Sequence, residues 1–176
     1  MRGRGGATGS RDASGREIHD IYDAINHVKE NFPVSDKVCI SGYSGGGGNA
    51  LAAISKFPDT FNVCVDHFGM SDYGFDNTYG WWYTNTGYRP YIEEYIGASP
   101  SISIDKYLAR AHVYSIKNFT GGELFVFHDT EDASVSVLQS QRLENELLGK
   151  NIGTFYYSDE NNTNRYLHDM STSEIT

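Results

Sequence analysis

The chain has 176 residues, of which 39% are hydrophobic, and it carries a formal net charge of −9. This length allows one domain with a real core, and the acidic balance argues against nucleic-acid binding, because phosphate contacts need a basic surface. No apolar run is long enough to span a membrane, and the first residues lack the apolar stretch of a signal peptide. We therefore expect no nucleic-acid partner, no membrane partner and a cytoplasmic location.

The first half of the chain predicts a helix, a strand, a helix and a second strand. After a loop over residues 2–10, apolar side chains at helical spacing predict a helix that Asp12 or Ser14 caps and that ends near Asn31. A strand over residues 37–41 follows, then a helix that ends near residue 57 and a strand over residues 61–68.

The second half begins with an irregular, aromatic-rich insert over about residues 71–120, with short helices near 91–96 and 106–116. A strand over 124–128, a helix over 135–148 capped by Gly149, and a strand over 154–158 complete the pattern. Strands separated by helices predict an α/β fold with a parallel sheet and helices on both faces. We expect one domain over residues 1–176.

The motif with the clearest chemistry is Gly42-Tyr43-Ser44-Gly45-Gly46. It has the form G-x-S-x-G and stands between a predicted strand and a predicted helix, which is the setting of a nucleophile elbow. In such a turn the serine hydroxyl is exposed above the sheet, and the next backbone N–H faces a developing oxyanion. We predict Ser44 as a nucleophile, with Gly45 and Tyr43 as oxyanion residues.

A serine hydrolase of this class needs its acid and its base after the serine, in the chain order serine, carboxylate, histidine. Asp132 follows the third predicted strand and His168 follows the fourth. Both therefore lie on loops at the carboxyl ends of strands, where sites form in open α/β sheets. We predict Asp132 as the acid and His168 as the base. The sequence leaves rivals open, namely Asp129, Glu131 and Asp72 for the acid, and His67, His128, His19 and His27 for the base.

Aromatic side chains are concentrated between residues 79 and 95. Trp81, Trp82 and Tyr83 fall in the insert between the second and third strands, where pocket walls commonly lie, and we predict them as a substrate pocket. The equal alternative is a structural cluster that packs the insert onto the sheet. No grouping of His, Cys and Asp has metal-ligand spacing, so we expect neither a metal nor a cofactor.

Several segments resemble one known family. The loop Arg2-Gly3-Arg4-Gly5-Gly6, the nucleophile segment 40–46 and the acid segment 123–135 are similar to those of prolyl-oligopeptidase-type and X-prolyl dipeptidyl peptidase-type serine hydrolases of the α/β-hydrolase superfamily. The resemblance implies a partial or minimal α/β-hydrolase fold and aligns Asp132 with the family aspartate. Asp129 stands where the family segment HGxxD has glycine, and we expect the N-terminal strands of such a domain to be missing here.

Together these features predict a serine hydrolase, either a carboxylesterase or a prolyl-oligopeptidase-like peptidase. It would cleave an ester or peptide bond of a small substrate through an acyl-enzyme on Ser44. The alternative is a catalytically impaired fragment that acts as a binding or assembly module. In both cases the strand over 37–41 is expected at the sheet edge, where unpaired backbone invites pairing. We expect a second copy, an omitted N-terminal segment or residues 1–15 to cover it.

Overall fold

The computed structural model describes residues 1–163 and 165–168 of the chain. Four parallel strands form one sheet in the order β1-β2-β3-β4, with the bounds β1 Cys39–Tyr43, β2 Val63–His67, β3 Glu123–Asp129 and β4 Thr154–Ser158. The predicted α/β class and parallel sheet are confirmed. β1 lies two residues beyond its predicted position, because Asn62 bonds the backbone of Val38 and takes that residue out of the regular ladder.

The helices are α1 Glu17–Asn31, α2 Gly45–Lys56, α3 Trp81–Thr84, α4 Arg89–Ile96, α5 Ile104–Leu108 and α6 Leu138–Leu147. Asp12 caps α1, since its carboxylate accepts the backbone N–H groups of Arg16 and Glu17. At the end of α6, Gly149 adopts a left-handed φ of 74°, as its predicted capping role requires.

One predicted helix, over residues 106–116, is broken in the structure. α5 ends at Leu108, and two short 3-10 turns follow at His112–Tyr114 and Ile116–Asn118. Ala111 pairs with Asp72 in an isolated β-bridge, and this contact pulls the segment away from a helical path. The apolar spacing of the segment could not reveal that bridge, because its partner lies far away along the chain.

The main core lies between the sheet and the helices α1, α2 and α6. Cys64 and Leu124 of the sheet and Leu51 of α2 are each fully buried there. Burying a leucine side chain of this kind stabilises a fold by about 1.5–3 kcal/mol. Packing in this core fixes the position of α2, which begins directly after the predicted nucleophile.

The opposite face of the sheet carries a row of aromatic rings. Adjacent rings stack at centroid distances of 4.2 Å, 5.1 Å and 4.8 Å, in the order Tyr43, His67, Phe127 and Tyr156. The two ends of this row are 45% and 41% exposed. The sequence predicted helices on both faces of the sheet. The helices that pack on the main core, α1, α2 and α6, cover the face that carries Cys64.

β1 stands at the edge of the sheet, where its sequence position led us to expect it. Met1 lines a groove of about 510 Å³ beside Val38 and Cys39. Within the described residues, no backbone hydrogen bond joins residues 1–15 to β1. Among the helices that the structure describes, none is both long and apolar enough to cross a membrane.

Candidate active site

Ser44 occupies a sharp turn between β1 and α2. Its backbone angles are φ 53° and ψ −121°, a conformation that residues other than glycine rarely adopt. Backbone strain of this kind costs about 1–3 kcal/mol. Two hydrogen bonds hold the turn: Ser44 N–H donates to His67 O at 2.9 Å, and Gly48 N–H donates to Ser44 O at 3.0 Å. A Cβ on Gly42 would overlap the carbonyl of Gly46. A glycine is therefore needed at position 42, two residues before the serine, on steric grounds.

Gly45 is the first residue of α2. The helix supplies no acceptor for the N–H groups of its first turn, and its dipole is positive at this end. The Gly45 N–H is therefore suited to an oxyanion next to Ser44. Tyr43 lies inside β1 with its ring stacked on His67. These contacts do not present a donor to the serine, and the oxyanion role of Tyr43 stays a prediction.

The predicted acid and base are in contact. His168 Nδ1 donates to Asp132 Oδ2 at 3.1 Å. The other carboxylate oxygen of Asp132 accepts the backbone N–H groups of Ser134 and Val135 at 2.8 Å and 2.9 Å. Burial by itself would raise the pKa of Asp132, but these hydrogen bonds hold the pKa below its ordinary value. The ionised carboxylate fixes the ring of His168 and leaves Nε2 available.

Two rival acids bind an arginine instead. Asp129 accepts hydrogen bonds from the Arg165 guanidinium at 2.6 Å and 2.8 Å, and Glu131 accepts one at 2.5 Å. The contact with Arg165 is the main cause that lowers the pKa of Asp129 to about 2. The third rival, Asp72, accepts backbone N–H groups in the turn after β2. Sequence reasoning gave Arg165 no role.

The nearest rival base is fully occupied. His128 is buried, its Nε2–H donates to Val135 O at 2.9 Å, and its Nδ1 accepts the Ser140 hydroxyl at 2.7 Å. Burial lowers the pKa of His128, so the ring is neutral and held on both sides. His67 is stacked in the aromatic row, and the other two rival bases, His19 and His27, lie on α1.

Among the described residues, no hydrogen bond joins Ser44 Oγ to His168, and the ring of Phe68 lies near His168 and near Tyr43, the residue before Ser44. Phe68 has a positive φ of 45°, and its N–H donates to Phe127 O at 2.8 Å. Its ring centroid is 4.8 Å from that of His168 and 5.9 Å from that of Tyr43. A phenylalanine with a strained backbone therefore packs against the ring of the predicted base. The sequence held no signal for this, because phenylalanine at a strand end is ordinary.

Asp66 is a second residue that sequence reasoning missed. It is fully buried under the first turns of α2, where a Cβ on Gly47 would overlap its Oδ1. That oxygen accepts the N–H of Gly69 at 3.0 Å, while Oδ2 has no partner among the described residues. Burial raises the pKa of Asp66 to about 7.

Of the three predicted pocket residues, Trp81 lies closest to the acid loop. Its Nε1–H donates to Ser134 O at 2.8 Å. It also lines a cavity of about 410 Å³, together with Gly87, Tyr88, Tyr91, Ile92 and Tyr95. The structure therefore places one predicted residue between the acid loop and an aromatic cavity.

The other two predicted pocket residues make contacts within the insert. Trp82 Nε1–H donates to Glu93 Oε1 at 2.8 Å, and the Arg89 guanidinium lies 4.0 Å above the ring of Trp82. Tyr83 packs edge-on against Trp82 at 4.9 Å. Contacts of this kind are what the structural alternative predicts. In residues 1–163 and 165–168, no group of three or more His, Cys, Asp or Glu is arranged to hold a metal ion.

Solved structures share this architecture. A puromycin-hydrolyzing peptidase of Mycobacterium tuberculosis is 22% identical with a TM-score of 0.71, over 85% of this chain and 22% of its own. An acylaminoacyl peptidase of Pyrococcus horikoshii is 20% identical with a TM-score of 0.72, over 92% and 25%. Dipeptidyl peptidase 4 of Porphyromonas gingivalis is 18% identical with a TM-score of 0.68, over 92% and 21%.

These similarities show the fold, and the chain spans a quarter or less of each of those proteins. No curated protein sequence matches it. The model of the prolyl oligopeptidase family matches residues 6–164, a range that includes Ser44 and Asp132. The resemblance to this family is thereby confirmed, and the chain belongs to the prolyl oligopeptidase family of serine peptidase-type hydrolases.

Proposed function

We propose that this chain carries the catalytic residues of a serine peptidase that acts through an acyl-enzyme on Ser44. The observation that carries the proposal is the hydrogen bond from His168 to Asp132. Asp132 follows β3 and Ser44 follows β1, so both lie at the carboxyl-terminal edge of the parallel sheet. Family membership supports the reaction class, since members are serine peptidase-type hydrolases.

In the proposed reaction, Nε2 of His168 removes the proton of the Ser44 hydroxyl while Oγ attacks the substrate carbonyl carbon. Asp132 holds the ring and stabilises the imidazolium that forms. The Gly45 N–H donates to the oxyanion, and His168 returns the proton to the leaving group. Water, activated by the same histidine, then releases the acyl group and restores Ser44.

Within residues 1–163 and 165–168, Gly45 is the one candidate oxyanion donor that the geometry favours. Loss of a single donor typically costs about 10²–10³ in rate. We therefore propose that this chain by itself cleaves activated esters faster than amides, because esters need less stabilisation of the tetrahedral intermediate. Peptide cleavage at useful rates would need a second donor.

The direct test is labelling with a fluorophosphonate probe, which reacts with activated serines. We expect the probe to modify Ser44 in the wild-type chain, with the site identified by peptide mass. Ser41, an exposed serine in β1, supplies a matched control. Ser41→Ala should keep the label and Ser44→Ala should lose it. A folded wild-type chain without label, or a Ser44→Ala variant that still reacts, would contradict the proposal.

The second candidate function is a binding or assembly module, and the edge position of β1 favours it. We propose a second copy of the chain as the partner that pairs with this strand. Light scattering and amide exchange test it together. A monomer in which Cys39–Tyr43 exchanges rapidly would rule out pairing at this edge, whereas a dimer with slow exchange there would support it.

A further inference from the structure

A cavity of about 440 Å³ lies at the far end of α2 from Ser44. The start of α1, the last turn of α2 and the segment after α5 enclose it. Lys56 is the last residue of α2, and a rise of about 1.5 Å per residue puts it roughly 18 Å along the helix from Ser44. The polar residues that line the cavity are Ser14, Arg16, Ser55, Lys56, Arg110, His112 and Ser115.

Three of these side chains are cations, Arg16, Lys56 and Arg110, and the described lining contains no carboxylate. In the part of the chain that the structure describes, none of the three forms a salt bridge. Arg110 donates instead to the backbone carbonyls of Asp12, Ala13 and Lys106. The lining therefore gathers three cations and no carboxylate, in a chain whose net charge is −9.

Two buried polar atoms in the lining also have no partner. Ser55 is 8% exposed and His112 is 6% exposed, and neither Ser55 Oγ nor His112 Nε2 makes a hydrogen bond within the described residues. Most buried polar atoms in proteins are hydrogen-bonded, so such atoms need an explanation. Burial, followed by the charges of Arg110 and Lys56, lowers the pKa of His112 to about 3. The ring is therefore neutral near pH 7 and can donate one N–H.

The acidic side chains nearest to Arg110 are already engaged. The carboxylate of Asp12 accepts the backbone N–H groups of Arg16 and Glu17. Glu17 itself is buried, and its Oε1 accepts Ser14 N–H at 3.0 Å. Its Oε2 has no hydrogen bond among the described residues and lies 3.7 Å from the Arg4 guanidinium, which is its ion-pair partner. Since Asp12 also occupies the first N–H groups of α1, the cavity depends on side-chain donors and not on the helix terminus.

We propose that this cavity binds a phosphate group, either free phosphate or the phosphate of a small molecule. Arg110, Arg16 and Lys56 supply the charge, and the hydroxyl of Ser55 and the imidazole of His112 supply directed donors. Guanidinium and ammonium groups bind phosphate through charge-assisted hydrogen bonds, which are about twice as strong as neutral ones. The site is separate from the proposed acyl-enzyme and does not depend on it.

The test is a titration of the 176-residue chain with inorganic phosphate against sodium chloride at equal ionic strength. Calorimetry measures the affinity, and the imidazole resonances of His112 report the place of binding. We expect saturable binding of phosphate, a shift of the His112 resonances and a higher pKa for His112 in the complex. A His112 that does not respond, or phosphate that acts no differently from chloride, would overturn the proposal and leave water as the occupant of the cavity.

A charge-matched pair of variants sharpens the result. Lys56→Gln should weaken phosphate binding by about tenfold or more, the loss expected for one charge-assisted hydrogen bond. Lys29→Gln makes the same charge change in the last turn of α1, about 20 Å from the start of that helix, and should leave the affinity within about twofold. Equal weakening in both variants would show a general charge effect and overturn the site.

Two further measurements complete the design. Should Lys56→Gln not fold, Ser55→Ala removes a hydroxyl that lacks a partner in the structure, and we expect severalfold weaker binding. Phenyl phosphate distinguishes the two sources of the ligand. Tighter binding of phenyl phosphate than of inorganic phosphate indicates a phosphorylated small molecule that fills the cavity, and tighter binding of inorganic phosphate indicates the free ion.

Discussion

The two ends of α2 present different chemistry on one helix. At its start, Ser44 and Gly45 offer backbone geometry: a strained turn, a free N–H and the positive end of the dipole. At its other end, Ser55 and Lys56 face a cavity whose remaining donors come from α1 and from the segment after α5. The turn at the start of α2 is formed by consecutive residues around Ser44. The cavity at the other end forms only where three segments that are distant in sequence meet.

The difference shows how a single buried helix can hold two sites apart. The middle of α2 is fully buried at Leu51 and Ile54, and packing there fixes both ends relative to the sheet. Changes at one end should therefore leave the other intact, while a change in the middle should disturb both. Substitutions in the proposed active site, in the middle of α2 and beneath its first turns test that separation.

Ser44→Ala should reduce hydrolysis of a short p-nitrophenyl ester by about 10³-fold or more, because the nucleophile is lost while binding groups remain. The thermal midpoint and the phosphate affinity should stay at wild-type values, since alanine keeps the backbone of the turn. Steady-state kinetics and calorimetry measure the two effects. Unchanged turnover would refute the assignment, and a loss of phosphate affinity would break the separation of the two ends.

Asp132→Asn should lower ester turnover by about 10³–10⁴-fold, because asparagine cannot stabilise the imidazolium of His168. Asp129→Asn is the matched control, since the same change is made three residues earlier in a carboxylate that binds Arg165. Asp129→Asn should lower the free energy of unfolding, and it should reduce ester turnover less than Asp132→Asn does. If the Asp129 variant has the larger kinetic defect, the acid is assigned to the wrong residue.

Leu51→Ala should lower the free energy of unfolding by about 2–5 kcal/mol, the usual cost of a cavity in a packed core. In urea, ester hydrolysis and phosphate binding should then be lost at the same midpoint. Leu148→Ala provides a control, since Leu148 is 70% exposed and should shift stability by less than about 0.5 kcal/mol. Separate midpoints for the two activities would show that α2 does not couple its ends.

Asp66→Asn should change how stability depends on pH. The pKa of Asp66 is about 7 in the folded state and lies at the ordinary 3.8 when the chain is unfolded. The folded state binds the additional proton between these values, so the stability of the wild-type chain falls as pH rises from about 4 to about 7. Asparagine removes this loss, on the order of a few kcal/mol, and can still accept the Gly69 N–H. Urea unfolding at several pH values should show a flatter profile, and an identical slope in both proteins would contradict the prediction.

The sequence by itself determined the strands, the parallel sheet and the place of Ser44. β4 was predicted with its observed bounds, and the helix after Ser44 was predicted within one residue of its end. Such features follow from local patterns: alternating or continuous apolar side chains, and a glycine at position 42 that only a tight turn requires. The family match over residues 6–164 includes Ser44 and Asp132.

The sequence also predicted Asp132 as the acid and His168 as the base, but it left Asp129 and Glu131 open as rivals to Asp132. Asp129, Glu131 and Asp132 lie within four residues, and their chemistry is the same in an unfolded chain. Arg165 engages the first two, and His168 contacts the third. That division depends on a loop more than thirty residues away along the chain, so it could not be derived from local pattern.

Tertiary structure alone decided the break after α5, the strained Phe68 beside His168, the buried carboxyl of Asp66 and the cationic cavity. Each arises where side chains distant in sequence meet, and burial then changes their pKa or removes their partners. The predicted helix over 106–116 does not form as one element, because the bridge between Asp72 and Ala111 binds that segment to the turn after β2. Local patterns specify which elements form, and long-range packing specifies which of their polar groups meet, because only packing removes water from between them.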